Sequence, residues 1–216
     1  MFCQILTSKN SWLYNNKTKF LDNFIKFKKI KIINNCKLIS KQAHVIFVIS
    51  YYKIIPLTNL KKNNNIFVIH DSDLPKGRGM SPLFNQILNR KKKIVTTIFK
   101  CEKNIDDGKI VLKKTFNYPD TLIYDEIKSL QMKNNIFMIK NFINYFNQKK
   151  IKLKDQKGKP TYFSKISEKK NNINKKKSII SQFDRIRTRD NKYFRAYFVH
   201  KNRKYFIKIE PEKSKI

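Results

Sequence analysis

Short apolar bursts alternate with lysine- and asparagine-rich spacers along the whole chain. Residues 2–7 (Phe-Cys-Gln-Ile-Leu-Thr) read as a short buried strand, and residues 8–16 as a polar loop around Trp12. Phe20, Phe24 and Phe27 recur at helical spacing with Leu21 and Ile25 beside them, which predicts an amphipathic helix over 17–28. A strand follows over 30–33 and a helical turn over 37–41. The runs Val-Ile-Phe-Val-Ile-Ser (45–50) and Ile-Phe-Val-Ile (66–69) suit strands covered on both faces, as in a parallel sheet.

A helix is predicted over 81–90, with Leu83, Phe84, Ile87 and Leu88 facing inward. Ser81 before Pro82 matches an N-cap followed by proline at the first helical position. Strands over 94–99 and 110–115 and one or two helices over 121–147 complete an α/β alternation with a mostly parallel sheet. The composition then shifts. Residues 149–159 and 171–177 are charged runs that read as solvated loops, and a helix (178–188) and a hairpin (193–200 with 204–209) follow. We place a catalytic domain at 1–148 and a short α+β extension at 149–216.

Charge and cysteine content narrow the chemistry. The formal net charge is +34. Lysine is spread through nearly every segment, so biased composition on a solvated surface explains it better than a nucleic-acid stripe. An anionic small substrate fits as well. Cys3, Cys36 and Cys101 form no CxxC pair and suggest neither zinc nor disulfides. The start of the chain lacks a signal-peptide pattern and no apolar run is long enough to span a bilayer, so a cytoplasmic protein without membrane contact is expected.

Glycine is scarce, four in 216 residues, and its positions are informative. Gly77 and Gly79 lie in His70-Asp-Ser-Asp-Leu-Pro-Lys-Gly-Arg-Gly-Met-Ser-Pro82, and Gly108 closes Asp106-Asp-Gly. A retained glycine in such a chain marks a backbone need. His70 follows a strand, where open α/β sheets bind ligands, and the loop after it feeds a helix N-terminus. The Asp106 turn also follows a strand, so it is expected at the same edge. A His and an Asp meeting there make a base with an orienting carboxylate. Asp71 and Asp73 read as caps of their own turn, and His44 and His200 as structural.

The pattern His70-x-Ser72-x-Leu74-Pro75-x-x-Arg78-Gly79-x-x-Pro82, with Asp106-Asp-Gly108 downstream and Ser50-Tyr-Tyr-Lys-Ile-Ile-Pro56 upstream, resembles the formyltransferases that use 10-formyltetrahydrofolate. Its version of the loop is most similar to sugar N-formyltransferases acting on nucleotide-linked 4-amino-4,6-dideoxy sugars. The resemblance implies a Rossmann-like formyltransferase fold and a cytoplasmic enzyme of glycan biosynthesis. It implies His70 and Asp106 as catalytic residues, with no metal. It places Tyr52, Lys53, Ile54, Ile55, Arg78, Gly79, Lys103 and Ile105 at the folate co-substrate. It places Met80, Ser81, Tyr162 and Lys165 at the nucleotide sugar.

The tail, through Thr161-Tyr-Phe163, Asn174, Ile186-Arg187 and the aromatics from Tyr193 to Phe198, resembles the family's short nucleotide-sugar-binding region. The longer β-barrel domain of methionyl-tRNA formyltransferases is not expected. The tail aromatics (Tyr193, Tyr197, Phe198, Tyr205, Phe206) read first as core, with base stacking or a homodimer interface as other uses. The departure is Val68, where the family carries an asparagine two residues before the histidine. Asn65 and Asn85 are the candidate substitutes. Two other readings stay open: formylation of another amine, such as methionyl-tRNA or a ribonucleotide, and a binding protein that keeps the fold without catalysis.

Overall fold

The computed structural model describes residues 1–25 and 29–212. The strands are β1 (Phe2–Leu6), β2 (Lys29–Ile33), β3 (Val45–Val48), β4 (Ile66–His70), β5 (Arg78–Gly79), β6 (Lys93–Lys100), β7 (Ile110–Asn117), β8 (Tyr162–Phe163), β9 (Ala196–His200) and β10 (Arg203–Ile207). The helices are α1 (Trp12–Asn15), α2 (Lys17–Leu21), α3 (Leu57–Leu60), α4 (Pro82–Leu88), α5 (Tyr124–Asn147) and α6 (Phe183–Arg187).

Among the described residues the main sheet has six strands in the order β2-β1-β3-β4-β6-β7. β2, β1, β3 and β4 are mutually parallel; β6 runs against them, and β7, antiparallel to β6, runs in their direction again. The mixed α/β fold with a mostly parallel sheet is therefore present. The connections from β1 to β2 and from β3 to β4 run in opposite directions across the sheet, which puts a topological switch point at the carboxyl ends of β1 and β3. Two loops meet there: Ser8 N–H donates to the Ser50 carbonyl (3.2 Å) and Tyr52 N–H to Ser8 Oγ (2.8 Å).

Alternation along the strands sorts the core into two layers. Ile5, Phe47, Phe67, Ile69, Phe142 and Ile139 form the side covered by α5. Leu6, Ile46, Val48 and Ile66 form the other, against Ile33, Cys36 and Ile39. At roughly 25 cal/mol per Å² of apolar surface, burying these continuous runs on both faces is the main source of stability.

Several local expectations change. Residues 8–16 are not all loop: α1 forms because Ser11 Oγ accepts the Tyr14 N–H (3.0 Å), a side-chain cap. The helix expected over 17–28 is short, α2 followed by a 3-10 turn over Asp22–Phe24, and its end with Phe27 lies outside the described residues. Ser81 does not cap α4 through its hydroxyl; it sits in the left-handed region (φ 52°) and makes no cap hydrogen bond. The hairpin turns on Lys201 and Asn202, with φ of 42° and 60°, the two-residue geometry that matches strand twist. Tyr197 is buried, but Tyr193 is 88% exposed and Tyr205 and Phe206 are exposed, so core packing does not account for the tail aromatics as a group.

Candidate active site

His70 is the last residue of β4 and is buried. Strand alternation puts its side chain on the same face as Val68, which packs against the cluster around Leu6, Ile46 and Val48. His70 Nε2 lies 2.9 Å from the Gly77 carbonyl. A carbonyl only accepts, so in the neutral ring Nε2 carries the hydrogen and Nδ1 keeps its lone pair. Asp106 Oδ2 is 3.9 Å from Nε2, too long for a direct hydrogen bond but close enough for charge to be felt.

The Asp106 turn reaches His70 by a different route from the one expected. β6 is antiparallel to β4, pairing Lys100 with Phe67 and Thr97 with His70. Its carboxyl end therefore lies beside the start of β4, not at the parallel strands' carboxyl edge. The 101–109 loop must fold back to bring Asp106 to His70. Asp106 adopts φ 53° and its carboxylate accepts the Gly79 N–H at 2.7 Å. A non-glycine residue in this region costs about 1–3 kcal/mol and persists only where neighbours hold it.

The loop after His70 is clamped on every side. Thr96 and Thr97, consecutive on β6, donate to the Asp71 carboxylate (2.7 Å) and the Ser72 carbonyl (2.6 Å). Gln86 of α4 and Gln131 of α5 donate to Asp71 as well, each at 2.5 Å. Lys113 bonds Asp73 and the Leu74 carbonyl, both at 2.6 Å. Asp71 and Asp73 thus tie the loop to other elements and are not caps of their own turn. Further on, β5 pairs with β8 in parallel. Gly79 (φ 92°) fits because a Cβ there would stand 2.6 Å from the Phe163 carbonyl oxygen. At Gly108 a Cβ would run into the Lys100 backbone.

The other sequence-derived residues divide into two groups. Tyr52, Lys53, Ile54, Ile105, Met80, Tyr162 and Lys165 are exposed, with Ile54 at 73% and Ile105 at 59%. Ile55 and Ser81 are partly buried. Lys103 lines a cavity of about 250 Å³ with Leu57, Leu60, Ile66 and Cys101. Burial pushes the Cys101 thiol up to about 12, so it stays protonated. Arg78 is buried and its guanidinium is committed to Asp107 and Gln156, so it braces the loop instead of offering a free cation. Asn65 and Asn85 do not replace the missing amide. Asn65 bonds the His44 carbonyl, and Asn85 the carbonyls of Met80, Ser81 and Ser164.

Sequence reasoning missed Lys128 and Gln131. Both line a cleft with Trp12 and Ser50, next to the switch point. Lys128 Nζ donates to Gln131 Oε1 (2.9 Å), which is joined to Asp71. Burial pulls the Lys128 ammonium down to about 8, against the attraction of Asp71. The helical spacing of the two residues was visible; their approach to Asp71, 57 and 60 positions back, was not. Among the described residues no group of three or more His, Cys, Asp or Glu could hold a metal, and no helix is long and apolar enough to cross a membrane.

Known proteins resemble this chain in sequence and fold. The methionyl-tRNA formyltransferase of Orientia tsutsugamushi is 29% identical over 161 residues, 74% of this chain and 52% of that protein. The chain thus spans about half the length of this relative. Solved structures share the fold. A methionyl-tRNA formyltransferase from Clostridium thermocellum superimposes with a TM-score of 0.74 at 23% identity, over 94% of this chain and 90% of that one. The N-formyltransferase from Helicobacter canadensis, in complex with folinic acid and dTDP-3-aminofucose, gives 0.66 at 18% identity over 87% and 80%. The formyl transferase family model matches residues 28–135, half of the chain and the stretch that carries both His70 and Asp106. The chain belongs to the formyl transferase family.

Proposed function

We propose that the protein transfers a formyl group from 10-formyltetrahydrofolate to the amine of a nucleotide-linked amino sugar. The observation that carries the reaction is the approach of Asp106 to His70 across 36 residues of sequence, with both held by the same glycine loop. The amine lone pair attacks the formyl carbon and the carbonyl pair moves to oxygen. The Nδ1 lone pair of His70 accepts the proton that the amine loses, and the Asp106 carboxylate, on the Nε2 side, stabilises the imidazolium so formed. The carbon–N10 bond then breaks, its electron pair returns to N10 of the folate, and a proton joins it there.

The exposed loops of Tyr52 to Ile55 and of Lys103 to Ile105 supply the folate contacts, largely through backbone and apolar surface. Gly79 contributes by shaping the loop. Met80, Ser81, Tyr162 and Lys165 lie along the β5–β8 pair and its flanks, where they serve the acceptor. The Helicobacter canadensis neighbour, which holds a folate and a dTDP-amino sugar together, supports this choice of partners. A second reading, formylation of methionyl-tRNA, draws on the relatives' activity and the +34 charge.

The test is incubation with 10-formyltetrahydrofolate and a panel of nucleotide-linked amino sugars, with mass spectrometry for an added formyl group. Formylated sugar supports the first reading. No sugar product, but formylated methionyl-tRNA with steeply salt-dependent binding, supports the second. In either assay His70→Ala lowers turnover by roughly 10²–10⁴-fold while folate still binds. Undiminished turnover in that variant overturns the site.

A further inference from the structure

Residues 149–159 read as a solvated spacer, and most of its side chains are exposed. One is not. Gln156 is half-buried and sits between the two loops that bear His70 and Asp106. Its Oε1 accepts from Arg78 Nε (3.3 Å) and Nη2 (2.8 Å). Its Nε2 donates to the Asp106 carbonyl and the Gly108 carbonyl, both at 2.9 Å. An amide side chain has two acceptor positions and two N–H groups, so every hydrogen-bonding position of Gln156 is in use.

The spacer backbone is pinned beside it, because Ile110 and Lys154 exchange two main-chain hydrogen bonds of 2.7 and 2.9 Å. The Gln156 contacts converge on the strained residue. Asp106 holds a left-handed backbone, and only its carboxylate is fixed by the Gly79 N–H. The carbonyls on either side of Asp107 are fixed by Gln156, and Asp107 itself pairs with Arg78. Arg78 in turn belongs to the two-residue strand next to Gly79. The amide therefore closes a ring: Gly79 to Asp106, Asp106 to Gln156, and Gln156 to Arg78.

We propose that Gln156 is a positioning residue that sets the Asp106 carboxylate relative to His70 by locking the 106–108 turn onto Arg78. The proposal rests on the formyl-transfer reading for its effect on rate, but not for its effect on structure. Gln156→Glu keeps the size and the acceptor side toward Arg78. It removes both donors and sets a carboxylate against two carbonyl oxygens. Gln156→Ala removes both sides. Misplacement of a reacting group by about 1 Å costs on the order of 10²-fold in rate.

The experiment compares wild type, Gln156→Glu, Gln156→Ala, Asp106→Asn and the Gln156→Glu/Asp106→Asn double variant. If Gln156 acts through Asp106, Gln156→Glu lowers kcat on the order of 10²-fold with little change in the KM for folate. The double variant is then no slower than Asp106→Asn alone. Multiplied losses in the double variant, or wild-type kcat in Gln156→Glu and Gln156→Ala, overturn the proposal. Amide hydrogen exchange at Gly79 reads the same ring without turnover. It rises in both Gln156 variants while exchange in β3 is unchanged; unchanged Gly79 exchange overturns the proposal. If the wild-type protein formylates nothing, the activity reading fails, and the exchange measurement still decides the role of Gln156.

Discussion

The loop from His70 to Met80 and the β9–β10 hairpin are held in opposite ways. The loop buries Leu74, and polar groups from β6, α4, α5, β7 and β8 fix its backbone and carboxylates at defined distances. The hairpin is held mainly by its own ladder and rings, with Ile173 N–H donating to the Tyr197 carbonyl at its base (2.6 Å). Its ladder pairs adjacent strands, Phe198 stacks on Tyr205 (5.4 Å), and the Arg195 and Lys204 cations lie over Phe206 and Tyr197 at 3.8 and 4.4 Å. The difference teaches where precision is spent. A chemical site needs atoms placed to a few tenths of an ångström, which directional hydrogen bonds supply. A half-exposed ribbon tolerates substitution because each of its contacts is small and replaceable.

The loop breaks first under backbone change. Gly79→Ala adds a Cβ against the Phe163 carbonyl oxygen at a φ that L side chains disfavour. We expect a loss of about 3 kcal/mol, read as a lower denaturant midpoint at constant m-value. A loss below about 1 kcal/mol would show that the β5–β8 pair yields, and would erase the contrast with the hairpin.

Lys128 tests the electrostatic side of the clamp. Its folded-state pKa is lowered to about 8, so the charged form costs stability below that pH. Between about 8 and the ordinary lysine value the unfolded chain binds the proton and the folded chain does not, and stability rises with pH. The unfolding free energy of Lys128→Met relative to wild type therefore falls by on the order of 1–3 kcal/mol as pH goes from 7.5 to 10.5. A difference that stays flat across this window contradicts the assignment. The smallest effect belongs to the hairpin. Asn202→Gly at φ 60° shifts stability by only about 0.5 kcal/mol, toward stability, measured by thermal unfolding.

Much of the fold was legible because it depends on local periodicity. The apolar runs at 45–50 and 66–69 announced parallel strands buried on both faces, observed as β3 and β4, and the glycine positions announced tight backbone. The length of the helix after residue 17 was misread. The same Phe spacing fits a short helix followed by a 3-10 turn, which no pattern of apolar positions separates. The site was legible only as two ends, His70 and Asp106, each beside its glycines.

What joined those ends was invisible, since Thr96, Thr97, Gln131 and Gln156 are common polar residues with no pattern of their own. Gln156 lay in a stretch whose composition reads as solvent-facing. The Asp106 turn was expected at the sheet's carboxyl edge. The antiparallel course of β6 instead starts it beside the first residues of β4, and the loop returns across the sheet.

The sequence by itself determined the main strands, the sheet class and the chemical types at the site, because hydrophobic period and backbone demand are written residue by residue. Only the tertiary structure decided by what route Asp106 reaches His70, that Arg78 is spent within the protein, and that Gln156 completes the ring. Those are pairings over 27 to 78 positions, and a hydrogen bond between distant residues leaves no local trace in either.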